Sequence, residues 1–171
     1  VTLARFLRAV FLAVTLLVAT PARALPPADA VVTAFGYTLT PPAFAALERR
    51  LDVLVTVARA YQIDADRLLA VCFVESGLAI RRPRAILCGC GYRVAGDRAQ
   101  AECAALALLI GRKRCGTWRM SHARYQSGRC VPTTPVTHRY VRAVTWALAA
   151  IRAASLRDDG AESLLLSRGA R

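Results

Sequence analysis

The chain has 171 residues, 56% of them hydrophobic, and sets 24 Lys and Arg against 11 Asp and Glu for a formal charge of +13. Such a charge draws a protein to anionic surfaces. The arginines, however, are scattered and accompany no nucleic-acid-binding motif, so nucleic acid is set aside as a partner.

Arg5 and Arg8 precede an uncharged apolar run from Ala9 to Ala19, followed by Pro21 and the small-residue pattern Ala22-Arg23-Ala24. This layout predicts a secretory signal peptide over residues 1–24. The run is shorter than the roughly 20 apolar residues a membrane-spanning helix needs, and no later stretch reaches that length. Cleavage after Ala24 removes three arginines and no acid, leaving a formal charge of +10. The expected product starts at Leu25, is periplasmic or secreted, and has no stable membrane span. An uncleaved amino-terminal anchor is the alternative.

The remainder is enough chain for one domain with a real core. Residues 25–40, with Pro26-Pro27, read as a leader draped over that domain, and Val31 to Leu39 suggest a short strand. Thr40-Pro41-Pro42 opens a helix, since proline is welcome in a first turn. Phe44, Leu47, Leu51, Leu54, Val55 and Ala58 form its apolar stripe, and Glu48, Arg49, Arg50 and Asp52 fall elsewhere. It should end near Tyr61.

A second helix begins at Asp64 as cap, with Asp66 in its first turn, and stops at Gly77. Leu68, Val71, Cys72 and Glu75 share one of its faces. From Arg81 to Gly96 arginines, Pro83, glycines and paired cysteines predict a disulfide-pinned loop. Asp97 starts a helix with Cys103, Leu106, Leu109 and Ile110 as its apolar positions. A short helix from Thr117 to about Tyr125, a linker over Val131 to Pro135 and a last helix from Thr137 to Ser155 come next. Tyr140, Val141, Val144, Leu148 and Ile151 should face inward. Residues 158–171 read as a loose polar tail, so the expectation is a single all-α domain of five helices over 41–157.

Cys72, Cys88, Cys90, Cys103, Cys115 and Cys130 lie in the middle of a small chain addressed to an oxidising compartment, which predicts three disulfides. Six cysteines allow 15 pairings. Cys115 with Cys130 is favoured because it closes a short loop around one helix. A zinc site at Cys88-Gly89-Cys90 is the alternative, but that step is tighter than usual ligand spacing, and His122 and His138 form no pattern with it.

Glu75 carries the chemistry. It lies at the carboxyl end of a helix, where the macrodipole disfavours negative charge, and continues a stripe that should face the core. Both effects raise a carboxyl pKa. A carboxyl group kept protonated near neutral pH can protonate a leaving oxygen, as glycoside cleavage requires. Alone, Glu-Ser-Gly favours a helix-terminal Glu that simply bends out to solvent.

The surroundings change that weighing. Val71-Cys72-Phe73-Val74-Glu75-Ser76-Gly77, preceded by Tyr61-Gln62-Ile63-Asp64 and Leu68-Leu69-Ala70, resembles the catalytic helix of the lysozyme-like lytic transglycosylases, which ends in Glu-Ser. Ala123-Arg124-Tyr125-Gln126-Ser127-Gly128 is similar to that family's Tyr-Asn-x-Gly segment, and Tyr140-Val141-Arg142-Ala143-Val144 to the Tyr-Val pattern of its closing helix. The resemblance covers roughly residues 43–150. It implies a lysozyme-like helical fold, no metal or cofactor, and peptidoglycan glycan strands as substrate, bound by what is expected to be a monomer.

It further implies Glu75 as acid/base, with Ser76 orienting it or the substrate, and Tyr125, Gln126 and Gly91 in the sugar cleft. On their own terms Ser76 fits a helix-end hydroxyl bonded to backbone, and Tyr125 a core aromatic. His122 receives no role. Two departures stand out: Cys88-Gly89-Cys90-Gly91-Tyr92-Arg93 replaces a Gly-Leu-Met-Gln segment, with Gly91 matched to its glycine, and Gln126 replaces the usual Asn.

Most retaining and inverting glycosidases use two carboxylates. Between Ser76 and Arg157 the only acids are Asp97 and Glu102, both at a helix start where an acid is structurally useful anyway. That scarcity favours a mechanism with one enzymic carboxyl group, and the resemblance implies the transglycosylase one, in which that group acts as acid, then base, while the C6 hydroxyl of N-acetylmuramic acid attacks C1. A goose-type lysozyme-like hydrolase and a catalytically inactive wall-binding or assembly module are the rival readings, the last supported by the Cys88 to Arg93 departure.

Overall fold

The computed structural model describes residues 25–79, 86–90 and 94–168, with side chains as far as Arg157. The expected signal peptide over residues 1–24 and the glycine Gly91 lie outside the described residues. Those described are all-helical, with six α-helices and no strand: α1 (Ala28–Ala34), α2 (Pro41–Tyr61), α3 (Ala65–Ser76), α4 (Asp97–Cys115), α5 (Trp118–Ser127) and α6 (Pro135–Arg168). A 3-10 turn, Gly77–Ala79, follows α3 directly. None of these helices is long and apolar enough to cross a membrane.

α1 replaces the strand suggested for Val31 to Leu39. Pro27 stands at its N-cap in extended conformation and Asp29 occupies the first turn, where the dipole favours an acid. Ala28 and Val31 are buried in the core, and this packing outweighs the weak strand preference of the two valines. The leader therefore contributes to the core as well as covering it.

α2 opens on Pro41-Pro42 and closes with Gln62 in the left-handed region. Its buried face is Leu47, Arg50, Leu51, Leu54, Val57 and Ala58. Val57 thus takes the place expected of Val55, and Arg50, expected outside, is inside. α3 is capped by Asp64, whose carboxylate accepts the Asp66 amide at 3.1 Å. Leu68, Leu69, Ala70, Val71 and Cys72 are all fully buried. A helix apolar on every side belongs in the centre, and α3 packs against α2, α4 and α6.

α4 is turned from its expected orientation. Its buried positions are Gln100, Ala101, Ala104, Ala105, Leu108, Gly111 and Cys115, whereas Leu106 and Ile110 are exposed. The small residues face inward because α5 comes very close. A Cβ on Gly111 would meet Ser121 Oγ at 2.6 Å and Ser121 Cα at 3.2 Å, and the Ser121 hydroxyl donates to the Leu108 carbonyl at 2.7 Å. Bulky aliphatics at those positions would hold the two backbones apart.

Thr117 caps α5 through the Met120 amide. Cys115 is joined to Cys130, the favoured pair, so that the disulfide closes a loop around α5. α6 buries Val141, Val144, Ala147, Ile151 and Ala154 and continues to Arg168, beyond the point where a loose tail was expected. Its Arg152 pairs with Asp64 at 2.5 Å and Asp66 at 3.6 Å, fastening α6 to the start of α3.

Candidate active site

The carboxyl end of α3 is shaped by its exit. Gly77 takes a left-handed conformation at φ +59° and Leu78, at φ +58°, does the same without the freedom of glycine, an arrangement costing about 1–2 kcal/mol. Two contacts hold it: the Leu78 side chain is fully buried, and Arg50 donates to the Leu78 carbonyl at 2.9 Å. Arg50 also pairs with Asp97 Oδ2 at 3.1 Å. This guanidinium on α2 ties the end of α3 to the start of α4, leaving Glu75 in a fixed last turn.

Residues 86–90 lie across that turn as a short strap. A disulfide joins Cys72, one turn before Glu75, to Cys88. A second joins Cys90 to Cys103 on α4, so the zinc alternative for Cys88-Gly89-Cys90 is replaced by two bridges, and all three disulfides are formed with no free cysteine among the described residues. Between the bridged residues sits Gly89, at φ +71°. A Cβ there would clash with Glu75 Oε2 and lie 2.8 Å from Cδ and 3.0 Å from Cγ. Only glycine lets the strap's backbone rest on the carboxyl group.

Hydrogen bonds complete the strap. Ser76 Oγ is placed to donate to the carbonyls of Cys72 at 3.0 Å and Leu87 at 2.5 Å, Tyr125 donates to the Cys88 carbonyl at 2.5 Å, and the Cys90 amide donates to Gln100 Oε1 at 3.0 Å. Ser76 thus bonds backbone, joining helix to strap, and positions Glu75 only indirectly. Tyr125 brings α5 to the site with its hydroxyl also 3.6 Å from Cys90 Sγ.

The resulting environment is asymmetric. Burial raises the Glu75 carboxyl pKa above the ordinary carboxylate range, and the Tyr140 hydroxyl of α6 partly opposes this by favouring the charged form. That hydroxyl is itself buried and makes no hydrogen bond of regular geometry, so its hold on the carboxylate is loose and burial dominates. Burial and the nearby Glu75 charge push both Tyr125 and Tyr140 up, keeping them neutral donors. The site offers one carboxyl group poised to give and retake a proton, flanked by two phenols.

Four other acids are engaged elsewhere. Asp97 pairs with Arg50 and Glu102 with Arg98, while Asp64 and Asp66 bind Arg152. Gln126 is exposed, and its carbonyl oxygen accepts from Thr137 at 2.7 Å, which makes it a tie between α5 and α6. His122 is buried behind the site with its Nε2 3.4 Å from Arg67, and Arg67 lies over the Trp118 ring at 4.5 Å. Among the described residues no group of three or more His, Cys, Asp or Glu is placed to hold a metal ion.

Sequence reasoning missed three contributors: Gly89, Arg50 and the contact of Tyr140 with the acid. The pair of cysteines around Gly89 was the available signal for the first. The chain matches no family model, no curated protein and no solved structure.

Proposed function

We propose that the protein is an exported peptidoglycan lytic transglycosylase built on a lysozyme-like helical fold. The observation that carries this reading is Glu75: a single carboxyl group, raised in pKa by burial and covered by Gly89, with Asp64, Asp66, Asp97 and Glu102 each paired to an arginine. Glu75 protonates the glycosidic oxygen between N-acetylmuramic acid and N-acetylglucosamine, then as carboxylate takes the proton of the muramic C6 hydroxyl as that oxygen attacks C1. The bond to the leaving oxygen breaks, a 1,6-anhydro ring forms, and no water is consumed. Tyr125 and Tyr140, held neutral, leave the proton traffic to Glu75. A hydrolase that activates water by a second carboxylate finds no support in the pairing of Asp97 and Glu102. The basic surface suits an anionic envelope, and three disulfides suit an oxidising compartment.

The test is the product. Purified cell walls digested by the oxidised protein should yield muropeptides ending in 1,6-anhydro-N-acetylmuramic acid, one water lighter than hydrolysis products by mass spectrometry. Glu75→Gln keeps the shape of the side chain and should remove at least the roughly 100- to 10,000-fold that general acid catalysis contributes. Reducing ends would establish the lysozyme-like hydrolase instead. Wall binding without any cleavage would establish an inactive wall-binding module.

A further inference from the structure

The strap over Glu75 is held covalently at both ends, and the two bridges differ in access. Cys72 and Cys88 are both fully buried, so a thiol reagent in solution has no path to them in the folded protein. Cys90 and Cys103 are each partly exposed. Their bridge holds the distal end of the strap, immediately after Gly89, whose backbone rests on the Glu75 carboxyl group. With that bridge open, this end retains a backbone hydrogen bond to Gln100 and the contact of Cys90 with Tyr125.

We propose that the Cys90–Cys103 disulfide is a thiol-sensitive latch that holds Gly89 against Glu75, so that a dithiol reductant reversibly switches off the acid. This regulation rests on the function assigned to Glu75. Gly89, Cys90 and Cys103 act as positioning residues, since they touch the acid or its cover and take no proton. The reductant is a small dithiol or an exported thioredoxin-like dithiol protein. Its thiolate attacks one sulfur of the bridge, the S–S bond breaks as a mixed disulfide forms, and the second thiol of the reductant resolves it. Two electrons and two protons pass to Cys90 and Cys103, and the reductant leaves oxidised. The freed end of the strap moves away, more water reaches the partly buried carboxyl group, and Glu75 returns toward the acidity of an ordinary glutamate. At neutral pH it is then ionised and has no proton to give.

The experiment uses the full oxidised protein titrated with dithiothreitol, with cysteine alkylation and peptide mass spectrometry reporting which bridge has opened. Alkylation should appear at Cys90 and Cys103 before Cys72 and Cys88. Wall-cleaving activity at neutral pH should fall on the order of 10-fold or more in step with that alkylation, while helical circular dichroism stays constant, and reoxidation should restore it. The alkaline limb of the pH–rate profile should move to lower pH, about tenfold in rate at neutral pH for each unit. Cys90→Ser with Cys103→Ser should show the low activity and shifted profile without reductant, and no response to it.

Carbon-13 NMR titration of the Glu75 carboxyl group reads the same change without activity. If the oxidised protein cleaves no wall, the assigned function fails, and a Glu75 titration that still moves down on reduction keeps the latch. Simultaneous opening of the buried bridge, unfolding together with the first alkylation, or an unmoved Glu75 titration after Cys90 and Cys103 are alkylated would each overturn it.

Discussion

Replacing Gly89 by alanine tests whether the strap sets the geometry of the acid. The new methyl group would lie 2.8 Å from Glu75 Cδ and 3.0 Å from Cγ, where carbon atoms prefer about 3.5–4.0 Å. The carboxyl group or the strap must therefore retreat by about 1 Å, a misplacement that can cost on the order of 10²-fold in rate. The left-handed backbone at φ +71° adds roughly 1–2 kcal/mol of instability for a residue with a Cβ. Muropeptide release should thus drop about 100-fold in a protein that melts somewhat lower yet remains folded. Glu75→Ala separates the two effects: in that background the clash is gone, and Gly89→Ala should cost only its backbone part. A Gly89→Ala protein with wild-type rate and melting temperature would refute the idea that this glycine seats the acid, and an equal stability cost in both backgrounds would refute the contact.

Burial and Arg67 lower His122 to about 4, whereas in the unfolded chain it has the ordinary histidine value of about 6.5, so the unfolded chain binds the proton first as pH falls. Stability is therefore complete above about pH 6.5 and lost progressively down to about pH 4, by about 3 kcal/mol, and His122→Gln should flatten urea midpoints over that window, an unchanged slope counting against it. Arg50→Met leaves the Leu78 carbonyl without its donor and should cost about 1–3 kcal/mol, read by urea unfolding, with wild-type stability arguing that Arg50 is incidental. Gly111→Ala should destabilise, because its Cβ meets Ser121, whereas helix propensity alone would stabilise by about 1 kcal/mol; the sign of the melting shift decides.

Much of the helical frame is legible in the sequence because it rests on local rules. Asp64, Thr117 and Gly77 mark helix ends by capping chemistry that needs no tertiary information, and the stripes of α3 and α6 carry large apolar residues. α4 departs from its pattern for a physical reason. Its partner helix approaches closely at Gly111, so the buried stripe is built largely of alanines and that glycine, with Leu108 its one large aliphatic, while Leu106 and Ile110 imitate a core face. α1 hides because two adjacent valines favour extended backbone until Val31 is buried. Arg50 defies the pattern because its partners, Leu78 and Asp97, lie 28 and 47 residues away.

The site shows the same division. Glu75 is legible because its own helix predicts its position, and Tyr140 as a residue on the inward face of α6, although its approach to Glu75 is not. The cover is not, since a glycine between two cysteines gives no sign of which cysteine it will be drawn toward. The pairing settles this. Cys88 turns back to α3 and Cys90 goes forward to α4, and a chain pulled both ways within three residues must turn sharply between them, which Gly89 permits at φ +71°. The turn falls over Glu75 because Cys72 lies one helical turn before it. The same two bridges that stabilise a small domain thus also fix how dry its acid is. Moving either cysteine by one residue should disturb acidity before it disturbs the fold, with the pH–rate profile shifting while the far-ultraviolet spectrum stays the same.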